Sequence, residues 1–408
     1  MPEFITGAAP ELPFILILLA LLGFRWRVNP RASVFVRAPM ERIFPLVDFI
    51  EGDMQRWQRT QVHCDLVDAA NQTYRLSFVT PLATGAVQSS NALFRVMRRD
   101  APRLLEADRA GLEGKSLNNQ LLKIHATLAP EGDGTRLSLA YFWGPRPLLA
   151  QLLARTDLWG SVYRLKGVAE TGKPDFMTDA LISLGVATVT GIITLATFAL
   201  AFNWIVAVLL LGALFIHEYG HLLAYRLIGQ PWGRMIFLPF LGGIAVPRIG
   251  FTTQGQTVFS ALMGPGFSAI FAVIVTLIVW VDPGPSTDVW VAVGLVMCGL
   301  NLFNMLPVEP LDGGVALRYV LSSLLGRFAQ AGHLVIGTAI IVTGFYFEQI
   351  LLVVFGLLAV LVNLRPRTID PGIEPLSRLQ VVISSFAFVS IVAAYAVQIR
   401  FLVEKAYP

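Results

Sequence analysis

From residue 179 to residue 400 the chain is a succession of apolar runs, at about 180–202, 204–228, 257–281, 289–307, 332–347, 350–364 and 379–399. A run of roughly 20 apolar residues can cross a hydrocarbon layer about 30 Å thick. Inside lipid there is no water to satisfy backbone N–H and C=O groups, so such runs must be helices or belong to a closed barrel. Runs this long and continuous select helices. An eighth candidate, Leu12 to Phe24, is shorter and ends in Arg25-Trp26-Arg27. Its leading residues are acidic (Glu3, Glu11) and no small-residue cleavage site follows, which reads as an uncleaved anchor rather than a signal peptide. The sequence therefore predicts a multispan α-helical membrane protein of about eight spans.

Charge is distributed unevenly. Only 14% of residues are charged, against about a quarter in an average soluble domain, and most of them fall between 28 and 178. Four parts follow: a membrane anchor over 1–27, a soluble domain over 28–178, an apolar core over 179–365, and a linker with the last span over 366–408. The net charge of +4 does not point to nucleic acid, because no dense Lys/Arg stripe accompanies it. The basic residues sit at span ends instead: Arg25, Arg27, Arg365, Arg367 and Arg378. By the positive-inside rule these flanks are cytoplasmic. The soluble domain is then cytoplasmic too, the Asp282–Asp288 loop lies outside, and Trp204, Trp280 and Trp290 fall at the outer interface. Arg400 and Lys405 run against this assignment. Cys64 and Cys298 have neither metal-type spacing nor the look of a disulfide framework or a catalytic thiol.

Within the soluble part, Ser33 to Arg37 reads as a strand and Pro39 to Phe49 as a helix ending near Gly52. Alternating segments follow at Tyr74–Val79, Leu93–Met97, Leu121–Leu128 and Thr135–Trp143, the last introduced by a Gly-Asp-Gly turn. An amphipathic stretch from Pro147 to about Glu170 closes the domain. This is an α+β helix-grip pattern. Through Val36-Arg-Ala-Pro-Met-Glu-Arg-Ile-Phe-Pro-Leu-Val-Asp48 and Arg164-Leu-Lys-Gly-Val-Ala-Glu170 it resembles the START/polyketide-cyclase-like (SRPBCC) superfamily. That resemblance implies a curved sheet around the last helix and a cavity that in relatives often takes an apolar ligand.

The chemistry concentrates in His217-Glu218-Tyr219-Gly220-His221. Histidines at i and i+4 share one helix face and can grip one metal ion, and the glutamate between them can polarise a water. Ionisable residues within a span are expensive in lipid and are functional candidates by default; a polar network joining helices is the plainer alternative. Tyr219 reads as packing. A zinc site needs a third protein ligand and an open position. His63 and His125 lie in the soluble part and His333 on another span. The best candidate is Asp312, in Asn301-Leu-Phe-Asn304-Met-Leu-Pro307-Val-Glu309-Pro310-Leu-Asp312-Gly313-Gly314, with Glu309 as its rival. The prolines and glycines break this helix, and broken backbone survives at membrane depth only against protein or a cavity. His217 follows Trp204 by 13 residues, roughly 20 Å along a helix, which puts the pair past the midplane toward the cytoplasm.

His-Glu-x-x-His on one span with Asn-x-x-Pro-x-x-Pro-Leu-Asp-Gly at the end of another resembles the site-2 protease family of intramembrane zinc metalloproteases. Ala224, Gly229 and Leu238-Pro-Phe-Leu-Gly242-Gly243-Ile-Ala245 are similar to its glycine-rich, membrane-dipping β-hairpin. Ala261-Leu-Met-Gly264-Pro265-Gly266-Phe267-Ser268 is similar to the element on its next span, with serine where many members carry asparagine. The resemblance covers about 180 to 365. It implies one catalytic Zn²⁺ held by His217, His221 and Asp312, with Glu218 as general base. It makes Asn304, Asn301, Ser268 and Gly264 candidates for contacts to substrate or oxyanion, Asn304 serving equally well as an interhelical hydrogen bond. It also implies a single-span membrane-protein substrate, such as an anti-sigma factor, cut in a bacterial inner membrane. Three other readings have distinct signatures. A zinc transporter or sensor calls for further His, Asp and Glu along other spans. Another zincin class calls for a distant glutamate ligand, for which Glu348 is available. A lipid-binding protein calls for a degenerate motif, whereas this one is intact.

Overall fold

The computed structural model describes residues 25–26, 29–54, 57, 61–81, 87–111, 121–239, 242–248, 250–281, 284, 287–364 and 373–406. It divides into two compact units, 1–186 and 187–408. The expected anchor at 12–24 and the Arg365/Arg367 flank lie outside the described residues.

In the first unit, β1 (Arg31–Val36) is followed by a short helix α1 (Met40–Val47) and, among the described residues, by the seven other strands of its sheet. These are β2 (Gly52–Met54), β3 (Gln61–Asp68), β4 (Thr73–Pro81), β5 (Val87–Asp100), β6 (Leu104–Gly111), β7 (Leu121–Glu131) and β8 (Gly134–Trp143). The eight strands form one antiparallel sheet in the order β1-β8-β7-β6-β5-β4-β3-β2. Strict alternation along β1 turns Ala32, Val34 and Val36 inward. Helix α2 (Leu148–Thr171) supplies Leu158, Val162, Leu165 and Ala169, at helical spacing, to the same core as Phe94, Leu105 and Leu137. This is the helix-grip arrangement. Pattern reading overlooks β3 and β6, because Asp and Glu are depleted in strands and their inward residues are few: Val62 and Cys64, Leu105 and Ala107. Burial pushes the Cys64 thiol up to about 12, so it is not a nucleophile near neutral pH.

Helix α3 (Phe176–Ala201) begins inside the first unit, whose boundary at residue 186 falls later than the composition shift after 178 suggests. An ion pair ties the first turn of α3 to α2: Arg164 Nη1 lies 2.9 Å from Asp179 Oδ2, with both side chains buried. Arg164 Nε also donates to the Trp57 carbonyl at 3.1 Å and Nη2 to Ser161 Oγ at 3.0 Å. A Cβ on Gly160 would collide with the Asp179 carboxylate, so only glycine allows this approach. Removing one member of a buried pair strands the other, at about 3–5 kcal/mol. Asp179→Ala is therefore expected to lower the hydrogen-exchange protection of the sheet amides, and Asp179→Leu with Arg164→Met to recover most of it. Equal protection in Asp179→Ala and wild type would show the pair to be energetically idle.

The second unit contains α4 (Trp204–Leu227), a hairpin of β9 (Arg234–Leu238) and β10 (Gly242–Val246), and the helices α5 (Gln254–Val281) and α6 (Thr287–Asn304). It continues with α7 (Asp312–Leu325), α8 (Ala329–Tyr346), α9 (Ile350–Asn363) and α10 (Arg378–Ala406). Among the described residues of the two units together, six stretches are long and apolar enough to cross a membrane: 176–201, 204–227, 254–281, 287–304, 312–346 and 378–406. The expected run at 332–347 is part of the stretch that starts at Asp312. The run at 350–364 is corrected: α9 has 14 residues, about 21 Å at 1.5 Å each, too short for a hydrocarbon layer of about 30 Å. The helices are inside-out relative to a soluble bundle. Leu184, Val189, Leu277, Phe386 and Val389 are exposed, while His217, Glu218, His221, Ser268 and Asn301 are buried. Lipid as solvent gives that pattern.

Candidate metal centre

Helix α4 starts at Asn203, whose side chain accepts from the Val206 N–H at 3.0 Å. Its buried face carries Leu214, His217, Glu218, His221 and Tyr225. Gly220 lies on that face as well. A Cβ there would come within 2.5 Å of the Met263 carbonyl and 2.8 Å of Phe267, so glycine lets α4 and α5 touch through their backbones. Asp312 arrives from another direction, as the first residue of α7. The connection from α6 turns tightly, with Val308 N–H donating to Leu306 O at 2.8 Å and Leu311 N–H to Val308 O at 2.9 Å. Gly313 and Gly314 lie against the backbone of Met305 and Val308, where any Cβ would collide. That contact is the physical reason for glycines after the aspartate.

The three side chains converge. His217 Nε2 lies 3.0 Å from Asp312 Oδ2, His221 Nε2 lies 3.3 Å from the same oxygen, and the two Nε2 atoms are 3.1 Å apart. Ligands at 2.0–2.1 Å around a tetrahedral zinc stand about 3.3 Å from one another, so the triangle has the size of one face of such a site. The donor set fits as well. His221 Nδ1 faces the Ser260 carbonyl at 2.7 Å. A carbonyl only accepts, so the ring proton is on Nδ1 and the Nε2 lone pair faces the other two ligand atoms. Acceptors crowded this closely in a buried place call for a cation between them. The histidines are 2% and 7% exposed, whereas the Asp312 side chain is 20% exposed, leaving an approach from its side.

Glu218 is buried beside this triangle, and its carboxylate accepts from the Ala245 N–H of β10. Gly243 of the same strand packs so closely that a Cβ would lie 2.5 Å from Glu218 Cγ. The hairpin thus seats the glutamate. The sequence does not reveal these two backbone contacts, nor the Ser260 carbonyl, because main-chain groups leave no residue-type signature.

Other expected site residues take varied places. Asn301 is fully buried against His217, its Oδ1 2.7 Å from Nδ1, and donates Nδ2–H to the Met297 carbonyl at 2.8 Å. Asn304 donates to the Leu300 carbonyl of its own helix at 3.3 Å. Gly264 packs on both histidine rings. Ser268, one turn further on, is fully buried, and its Oγ has no hydrogen-bond partner among the described residues. Glu309 pairs with Arg318 at 3.4 Å and is not in the ligand triangle. His63 pairs with Asp65 and His125 with Glu106, while His333 Nδ1 donates to the Ala329 carbonyl. Glu348, the ligand wanted by the other zincin class, is exposed after the end of α8. Tyr219 packs with Phe215, Trp232 and Phe267.

No protein-family model matches the chain. A Synechocystis protein named "Putative zinc metalloprotease" is 30% identical over 125 residues, covering 30% of this chain and 33% of that protein. The chain thus spans about a third of the length of this curated relative. Among solved structures, a site-2 protease from Methanocaldococcus jannaschii aligns at 17% identity with a TM-score of 0.29, over 47% of this chain and 93% of that one. The Aha1 dimer from Colwellia psychrerythraea aligns at 15% identity with a TM-score of 0.27, over 36% of this chain and 98% of that one.

Proposed function

We propose that this chain is a zinc metalloprotease of the site-2 type, hydrolysing peptide bonds within or beside transmembrane segments of membrane-protein substrates. The observation that carries the reading is the triangle of His217, His221 and Asp312 with Glu218 beside it, both histidines and the glutamate buried on a helix of membrane-spanning length. The metalloprotease relative, 30% identical over 125 residues, also supports it. His217, His221 and Asp312 would hold the ion, three protein ligands being the usual number for a catalytic zinc with one position open. When bound, zinc polarises a carbonyl and lowers the pKa of water toward 7.

The remaining steps belong to the protein. Glu218 accepts the proton of the attacking water and returns it to the leaving amine. The Ala245 N–H holds one carboxylate oxygen, and the other, Oε2, has no hydrogen-bond partner among the described residues and is available for that proton. The partly exposed Asp312 marks the side from which water and substrate enter. The substrate in this reading is a single-span protein, such as an anti-sigma factor, in a bacterial inner membrane. The helix-grip unit lies on the cytoplasmic side, with an apolar molecule as its ligand.

Glu218→Gln separates proton transfer from metal binding, since it leaves all three ligands in place. Zinc content is expected to stay at wild-type level while cleavage of a model transmembrane substrate falls by about 10²–10⁴-fold. Turnover at the wild-type rate in that variant would remove Glu218 as the base.

A further inference from the structure

We propose that Asn301 is a positioning residue of the metal centre, fixing both the proton and the rotation of His217 so that Nε2 faces the metal. This rests on the reading that a metal ion sits among His217, His221 and Asp312. The argument begins with the orientation of the amide. Asn301 is 0% exposed, so each of its polar atoms needs a partner within the protein. The Met297 carbonyl, 2.8 Å away, can only accept, and therefore faces the NH₂ end. The carbonyl end is then the one directed at His217 Nδ1, at 2.7 Å. An acceptor there requires the ring proton on Nδ1, which leaves Nε2 with a bare lone pair. A carbonyl one helical turn back in α6 thus decides the tautomer of a histidine on α4.

The same contact sets the ring's rotation. His221 receives equivalent support from the Ser260 backbone carbonyl, which side-chain replacement leaves in place. His217 depends on a side chain, and so is the ligand whose support can be removed by mutation. The family resemblance implies a contact to substrate or oxyanion for this asparagine; the geometry points to the metal ligand.

The test uses the full chain purified in detergent with zinc alone as the probe, its affinity measured by competition with a chromophoric chelator. Asn301→Leu removes both hydrogen bonds, and loss of such an outer partner lowers metal affinity by about 10–100-fold. Asn301→Asp keeps an acceptor for His217 Nδ1 but loses the donor to Met297, so it separates ring positioning from helix support. Its affinity is expected to remain within about threefold of wild type, and its cobalt-loaded visible spectrum to match wild type. Wild-type affinity in Asn301→Leu would overturn the proposal. A loss in Asn301→Asp of about tenfold or more would also overturn it, by assigning the residue to the Met297 contact. If the leucine chain does not fold, Asn301→Ala, which also removes both hydrogen bonds, takes its place on the same thresholds. A wild-type chain that takes up no zinc overturns the metal reading itself, a result distinct from failure at Asn301.

Discussion

Gly264→Ala is expected to abolish zinc binding while leaving the membrane fold intact. A Cβ built on Gly264 would penetrate the His221 ring at Nε2 and Cε1 and would lie 3.0 Å from His217 Nε2. These are the atoms that face the metal, so the added methyl would occupy the space in which the ligands converge. Neither ring can turn aside freely, because Asn301 holds one at 2.7 Å and the Ser260 carbonyl holds the other at 2.7 Å. The helix itself gains from the change, alanine being better than glycine in a helix interior by about 1 kcal/mol. Loss of metal without loss of fold is therefore the expected signature. Metal analysis of the purified variant, with helicity and thermal melting as controls, reads it directly. A folded variant that keeps stoichiometric zinc would show that the rings rearrange around the methyl. Gly264 was a candidate for substrate contact on its motif, and the structure gives it a steric role within the metal site.

The contrast between His217 and Gly264 shows what the sequence could reveal. Two histidines four residues apart lie on one helix face whatever surrounds the helix, so local periodicity predicts that they meet. Asp312 was legible for a related reason, since prolines and glycines after an apolar run require a break that ends near a protein-lined cavity. The register of α6 and α5 against α4 is a different matter. Asn301 and Asn304 stand three residues apart on one helix, and nothing in their spacing says which of them meets His217. Gly220, Gly243 and Gly264 are each fixed by close approach of a second element. A glycine in the sequence announces such an approach without naming what approaches. In the soluble unit, β1 and β8 were legible from alternation, whereas the polar strands β3 and β6 gain their place from neighbours in the sheet. The length of α9 escaped for the converse reason. Its apolar composition matches a span, but its 14 residues are too few to cross.

Gly243→Ala is expected to separate catalysis from metal binding by acting on Glu218 through the hairpin. Gly243 lies in β10, paired with Phe237 of β9. A Cβ there would stand 2.5 Å from Glu218 Cγ, 2.7 Å from Oε1 and 2.8 Å from Cδ. Such contacts cannot be accommodated in place, so either the carboxylate swings away or the strand moves off. Both outcomes break the hydrogen bond from the Ala245 N–H to the carboxylate. The strand tolerates alanine, and none of His217, His221 and Asp312 is touched, so zinc content is expected to match wild type. A displaced general base no longer reaches the proton it must accept, and catalysis should fall by about 10²-fold or more. The informative comparison is with Glu218→Gln. If Gly243 acts only through Glu218, the double variant should be no slower than Glu218→Gln alone, because the base is already lost. A further fall in the double variant would mean that the hairpin contributes to the reaction by a second route. A Gly243→Ala chain that cleaves at the wild-type rate would show that the glutamate does not need its seat on β10.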